Sequence, residues 1–189
     1  INIKNRVCLD AGISTGGFTD CLLQLGASKV YGVDVGYGQT AWRIRNDPRV
    51  VLFERTNIRH LTPEKLFNHG DLIPDFAVAD LSFISLKIVL PSIKSLLSNI
   101  GSELLVLVKP QFEVGKNKVG KGGVVRDHSL HLEAIEGVII ESKKYGWYPK
   151  GVIASPLKGP AGNQEYLLWM GDEVKGNIEI EKILDLLLV

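Results

Sequence analysis

Three short apolar runs near the start of the chain each end at or beside an acid. Val7 to Asp10, Val30 to Val35 with Asp34 inside its end, and Phe76 to Asp80 are each followed by a turn and a helical pattern. Short apolar runs alternating with helices read as strands buried on both faces. The alternation leaves few options: parallel strands joined by crossover helices, an α/β sheet covered on both sides. In such a sheet, ligands bind beyond the carboxyl ends of the strands. Carboxylates gathered at that edge are hard to explain as core filling, so they mark the candidate site.

The other elements follow from spacing and punctuation. Residues 15–25 form a helix, with Phe18, Cys21, Leu22 and Leu25 on one face and Gly26 as its stop. Residues 40–45 form a short helix closed by Asp47-Pro48, and residues 50–53 a third strand. Thr62-Pro63 opens a helix to about Asn68. Residues 85–97 form a helix that Pro91 kinks or delays. Residues 104–108 form a strand ending in Lys109-Pro110. Asp127 or Ser129 caps a helix to about Tyr145. Residues 151–154 and 165–169 are strands with no helix between them, hence an antiparallel hairpin, and the last dozen residues form a helix.

With 189 residues, 45% apolar and 23% charged, the chain has the make-up of a soluble protein and the length of one domain, 1–189. Its net charge of +1 announces neither a nucleic-acid nor a membrane partner. No apolar run approaches the roughly 18 residues of a spanning helix, and the start lacks a signal-peptide pattern. Cys8 and Cys21 fall in apolar patterns and read as buried thiols of a cytoplasmic protein. The chain begins almost directly on a strand, as expected of a piece of a longer protein. Charge is uneven: residues 109–158 carry nine basic against five acidic side chains, and residues 159–189 two against six. No metal is expected.

Asp10-Ala-Gly12-Ile-Ser14-Thr-Gly16-Gly17-Phe18 joins the first strand to the first helix. Gly12 permits the tight turn, and Gly16 and Gly17 let backbone approach a ligand. The N–H groups of the helix start then point at whatever binds. Asp34, 24 residues after Asp10, can accept both ribose hydroxyls of a nucleoside. A dinucleotide fingerprint needs G-x-G-x-x-G, whereas this loop reads G-x-x-x-G-G behind an acid. A carboxylate repels a pyrophosphate and suits the cationic amino-acid end of S-adenosyl-L-methionine, which the loop favours over NAD. The expected cofactor-binding residues are Asp10, Gly12, Ser14, Gly16, Gly17, Phe18, Asp34 and Asp80. Asn57, after the third strand, is either an adenine contact or a turn-former. The rings of Phe18, Phe83 and Trp169 are expected in the core rather than as base-stacking platforms.

Gly115-Lys-Asn-Lys-Val-Gly120-Lys121-Gly122 nearly matches a phosphate-binding P-loop, but Gly122 replaces the Ser or Thr that ligates Mg²⁺ and no helix follows. A mobile basic flap fits better, with Lys116, Lys118, Lys121 and Arg126 meeting RNA phosphates; an ordinary flexible loop is the plainer alternative.

Six ordered blocks carry a family likeness: residues 10–20, 33–39, 80–86, 107–113, 119–126, and Ser155-Pro with Gly162-Asn-Gln-Glu165. Over residues 7–170 the chain resembles the TlyA family of FtsJ-like ribosomal RNA 2′-O-methyltransferases, often labelled haemolysin A. The resemblance implies a class I methyltransferase fold: α/β and Rossmann-like, with a mostly parallel seven-stranded sheet, helices on both faces and an antiparallel final hairpin. It implies S-adenosyl-L-methionine as methyl donor and, as substrate, a cytidine ribose in ribosomal RNA or ribosomal subunits. FtsJ-like enzymes carry a Lys-Asp-Lys-Glu tetrad, and Asp80, Lys109 and Glu165 match its last three members. The first lysine belongs to a helix ahead of the first strand, which this chain starts too late to include. Lys4, three residues before the strand, does not match it. The family's N-terminal S4-like RNA-binding domain also lies outside these residues.

A ribose 2′-OH is a weak nucleophile, so transfer needs it held about 3 Å from the methyl carbon, with a group to take its proton. Lys109 serves as base if desolvation and neighbouring cations lower its pKa, while Asp80 and Glu165 orient the lysines and balance charge. Without the resemblance, Lys109 reads equally as a solvent lysine and Glu165 as an exposed strand residue. Two other functions compete: a cofactor-binding RNA-binding module without catalysis, and a membrane-active haemolysin. The lack of a spanning segment or a basic amphipathic helix disfavours the second.

Overall fold

The computed structural model describes residues 1–171. The helix expected for the last dozen residues lies outside them. Strands β1 (Val7–Ala11), β2 (Lys29–Val33), β3 (Val50–Phe53), β4 (Phe76–Ala79), β5 (Glu103–Val108), β6 (Tyr148–Ala154) and β7 (Tyr166–Gly171) form a seven-stranded sheet in the order β3-β2-β1-β4-β5-β7-β6. The first four pair in parallel with their neighbours, and β6 pairs antiparallel with β7. This is the expected fold class. The described residues fall into two compact units, 1–80 with 91–104, and 81–90 with 105–171.

In the first unit, β1 and β4 are buried at every position, and β2 at all but its first. Consecutive burial means that both faces of these strands are covered. β1 lies between β2 and β4, with Asp10 opposite Gly32 on one side and Val78 on the other. Helix α1 (Gly17–Gln24) buries Thr19, Leu22 and Leu23, not the expected face of Phe18, Cys21, Leu22 and Leu25. Leu25 and Cys21 are exposed, which corrects the reading of both cysteines as buried; only Cys8 is. The cause is a buried hydrogen bond from the Thr19 hydroxyl to the Asp10 carboxylate at 2.6 Å. It turns position 19 inward, and positions three and four residues on follow. Helices α2 (Trp42–Arg45) and α3 (Pro63–Leu66) are shorter than their patterns suggest. Helix α4 (Leu86–Ser95) takes Pro91 inside rather than at its start.

Burial alternates along β5, which the division between the units crosses after Leu104, with Leu104, Val106 and Val108 fully buried. Helix α5 (Pro110–Glu113) is one turn long and opens with proline behind Lys109. Helix α6 (His128–Lys143) is capped by Asp127, which accepts from the Ser129 N–H at 2.9 Å. It buries His131, Ala134, Ile135, Val138 and Ile139.

Candidate functional site

The glycine loop of the first unit is held by backbone. The N–H groups of Gly12 and Ile13 both donate to the Val33 carbonyl, at 2.8 and 3.2 Å. Gly12 (φ 89°) and Gly16 (φ 99°) adopt the left-handed conformation that glycine tolerates best. Ile13 packs so tightly on β2 that a Cβ on Gly32 would lie 2.4 Å from its Cδ1. Ser14 and Gly17 are exposed and Phe18 is half-buried. Gly16 offers the first turn of α1 no side-chain cap, so its N–H groups remain suited to an anion.

Asp34 closes this loop. One carboxylate oxygen accepts from the Ser14 N–H and the other from the Gly36 N–H, both at 2.7 Å. Asp10 is fully buried, and its second oxygen has no hydrogen-bond partner among the described residues. Burial pushes its pKa up to about 7; the Thr19 hydrogen bond opposes the rise, and the charges of Asp80 and Asp34 add to it. The strand-end acids therefore do converge on one edge. Asp80 follows β4, and its N–H donates to the Ala11 carbonyl at 3.0 Å. Asn57 accepts from the Arg59 N–H at 3.0 Å and caps a 3₁₀ turn, the turn-forming alternative. Lys4 packs against Gly26, at the far end of α1 from the glycine loop.

Lys109 and Glu165 lie in the second unit. The Lys109 ammonium donates to the Ser82 hydroxyl at 3.1 Å. Glu165 is buried rather than exposed, and the Gln111 amide donates to it at 3.3 Å. Glu113, which the sequence reading passed over, is also buried. It accepts from the Ser85 hydroxyl at 2.6 Å and the Leu86 N–H at 2.7 Å, capping α4 from outside the helix. Burial raises its pKa against these two bonds. Phe83 corrects another expectation: it is 92% exposed, with φ 65°, and its ring lies 5.3 Å from that of Phe112. Trp169 is half-buried, with the Lys150 ammonium 5.4 Å from its ring.

Lys116, Lys118, Lys121 and Arg126 are all exposed. Lys118 pairs with Glu133 at 2.5 Å. The segment around them is more built than a free flap. Buried Asn163 accepts from the Val125 N–H and donates to the Gly123 carbonyl, both at 2.9 Å. His131 links the Val125 carbonyl, at 2.9 Å, to the Tyr166 hydroxyl, at 2.7 Å. No local signal in the sequence reveals Asn163 or Tyr166, which lie 35 residues or more from their partners. Among the described residues, no cluster of three or more His, Cys, Asp or Glu side chains is arranged to hold a metal.

The fold is shared with S-adenosylmethionine-dependent methyltransferases. One from Mesorhizobium loti superposes with a TM-score of 0.64, covering 90% of this chain and 93% of that one at 12% identity. An FtsJ-like methyltransferase profile matches residues 1–172, and the chain belongs to that family. A solved Lactococcus lactis structure bearing a hemolysin label is 42% identical, with a TM-score of 0.88 over 98% of this chain and 88% of its own. The Mycobacterium tuberculosis 16S/23S rRNA (cytidine-2′-O)-methyltransferase TlyA is 54% identical over 170 residues, 90% of this chain. The chain spans 62% of that relative's length.

Proposed function

We propose that this chain is the catalytic domain of an S-adenosyl-L-methionine-dependent enzyme that methylates a cytidine ribose 2′-oxygen in ribosomal RNA. The observation that carries the reading is the gathering of acids at the glycine loop: Asp10 is next to last in β1 beside it, Asp34 accepts from the Ser14 N–H, and the Asp80 N–H donates to the Ala11 carbonyl. The donor set suits the cofactor. Asp34 keeps lone pairs for ribose hydroxyls beyond those used by Ser14 and Gly36. The uncapped start of α1 offers N–H groups to the cofactor's carboxylate, and the acids favour its cationic end. When bound, the cofactor supplies an electrophilic methyl group.

Lys109 is the candidate to hold or take the 2′-OH proton at its Nζ, which Ser82 orients. In this reading Glu165 balances charge as the family tetrad implies, and Asp80 is assigned its tetrad role on the same likeness alone. Exposed Lys116, Lys121 and Arg126 would meet RNA phosphates, while Lys118 is already paired. The relatedness to the Mycobacterium tuberculosis enzyme supports the substrate class. A cytoplasmic location follows if the substrate is ribosomal. Among the described residues, no helix is long and apolar enough to cross a membrane.

Tritiated methyl transfer to ribosomal subunits, measured with the full gene product, tests the reading. Lys109→Ala is expected to lower transfer by roughly 10²- to 10⁴-fold, the usual worth of a positioned acid–base group, with cofactor affinity kept. Wild-type turnover in that variant would remove Lys109 from the chemistry.

A further inference from the structure

Three side chains of one short segment reach three different places. Lys109 meets Ser82, Glu113 caps α4, and between them Gln111 meets Glu165. We infer that Gln111 is a positioning residue that, with Gly159 as a backstop, fixes the carboxylate of Glu165. The inference rests on the role given to Glu165 above.

Two neighbours close on one oxygen of that carboxylate. The Gln111 Nε2 donates to Glu165 Oε1 at 3.3 Å. Gly159 is buried, and a Cβ there would lie 2.6 Å from the same Oε1. Only glycine leaves the oxygen where it stands. The backbone behind it is tied as well: the Ser155 N–H donates to the Glu165 carbonyl at 2.8 Å, and Gly159 N–H to the Asn163 carbonyl at 2.9 Å. The Gln164 amide closes the loop by donating to the Ser155 carbonyl at 2.8 Å.

The amide of Gln111 shows an asymmetry that a purely structural glutamine does not need. Its Oε1 is buried with no hydrogen-bond partner among the described residues. An unpaired buried carbonyl is costly. Turning the amide over would bring that oxygen against the Glu165 carboxylate, which is worse. The side chain thus leaves its own acceptor unmet while donating to Glu165.

Three variants of the full gene product test this in the methyl-transfer assay. Gln111→Leu keeps the volume and removes the donor; kcat is expected to fall roughly 10- to 100-fold with KM for RNA unchanged, as for a catalytic group misplaced by about 1 Å. Gly159→Ala, whose Cβ would displace the same oxygen, is expected to give the same split. Gln111→Glu is isosteric and can donate only while protonated, so its pH–rate profile gains an ionisation that wild type lacks. Wild-type kcat in Gln111→Leu and Gly159→Ala, with an unaltered profile in Gln111→Glu, would overturn the positioning role. Glu165→Gln separates the two levels. If it is inactive while the Gln111 variants are normal, positioning alone fails; if it turns over like wild type, the role of Glu165 fails and this inference with it.

Discussion

Residues 12–18 and residues 114–126 are both glycine-rich connections, and they are held in place differently. The first is fixed by its immediate neighbours in the sheet. Gly12 and Ile13 bond the end of β2, and Ser14 bonds Asp34 one residue beyond it. The second also carries left-handed glycines, at Gly115, Gly122 and Gly123. Its anchors, however, are side chains: Asn163, 38 residues beyond Val125, and His131, six residues beyond it. A loop tied to strand ends can be anticipated once those strands are read from the sequence; a loop tied to single polar side chains cannot.

The sharpest way to break this contrast is Asn163→Ala. It leaves the buried Val125 N–H without a partner, at a cost of about 1–3 kcal/mol in urea denaturation, while the exposed Gly123 carbonyl loses a bond that water can replace. Amide exchange should accelerate across residues 120–126 while the glycine loop of the first unit stays protected. Equal acceleration in both would mean that the two loops share a support. Next in size is Gly16→Ala. At φ 99° a Cβ costs about 1–2 kcal/mol from backbone strain. It would also lie 3.0 Å from an Ile44 side-chain carbon. The same denaturation assay checks it, and an unchanged midpoint would mean the loop has another backbone path. The smallest effect is a pH slope. Asp10 holds its proton more tightly folded than unfolded, so it favours folding at low pH and loses that contribution as pH rises through about 7. Stability should decline between about pH 4 and 7 in wild type, and Asp10→Asn should flatten that part of the curve. A slope identical in both proteins would assign it to other groups.

The contrast also explains what could be read from the residues. The mostly parallel sheet and the gathering of Asp10, Asp34 and Asp80 at one edge follow from apolar runs that alternate with helices and end at or beside acids. The face of α1 does not, because one polar bond from Thr19 to Asp10 outweighs the apolar spacing of Cys21 and Leu25. Phe83 breaks the rule that aromatics go inside: it sits exposed beside Phe112, in a backbone conformation its type rarely adopts. Glu113, Gln111 and Asn163 gain meaning only through partners brought close by folding. Lys109 and Glu165 are proposed for the chemistry through family likeness alone, since a strand-end lysine or a lone glutamate has no local signature of chemistry.

Calorimetric titration of the protein and of Asp34→Ala with S-adenosyl-L-methionine, NAD and ATP tests the central claim most directly. The account predicts binding of S-adenosyl-L-methionine alone, weakened roughly 100-fold in Asp34→Ala, which corresponds to about 3 kcal/mol for the charged hydrogen bonds that are lost. Tighter binding of NAD or ATP, or equal affinity for S-adenosyl-L-methionine in the variant, would contradict it.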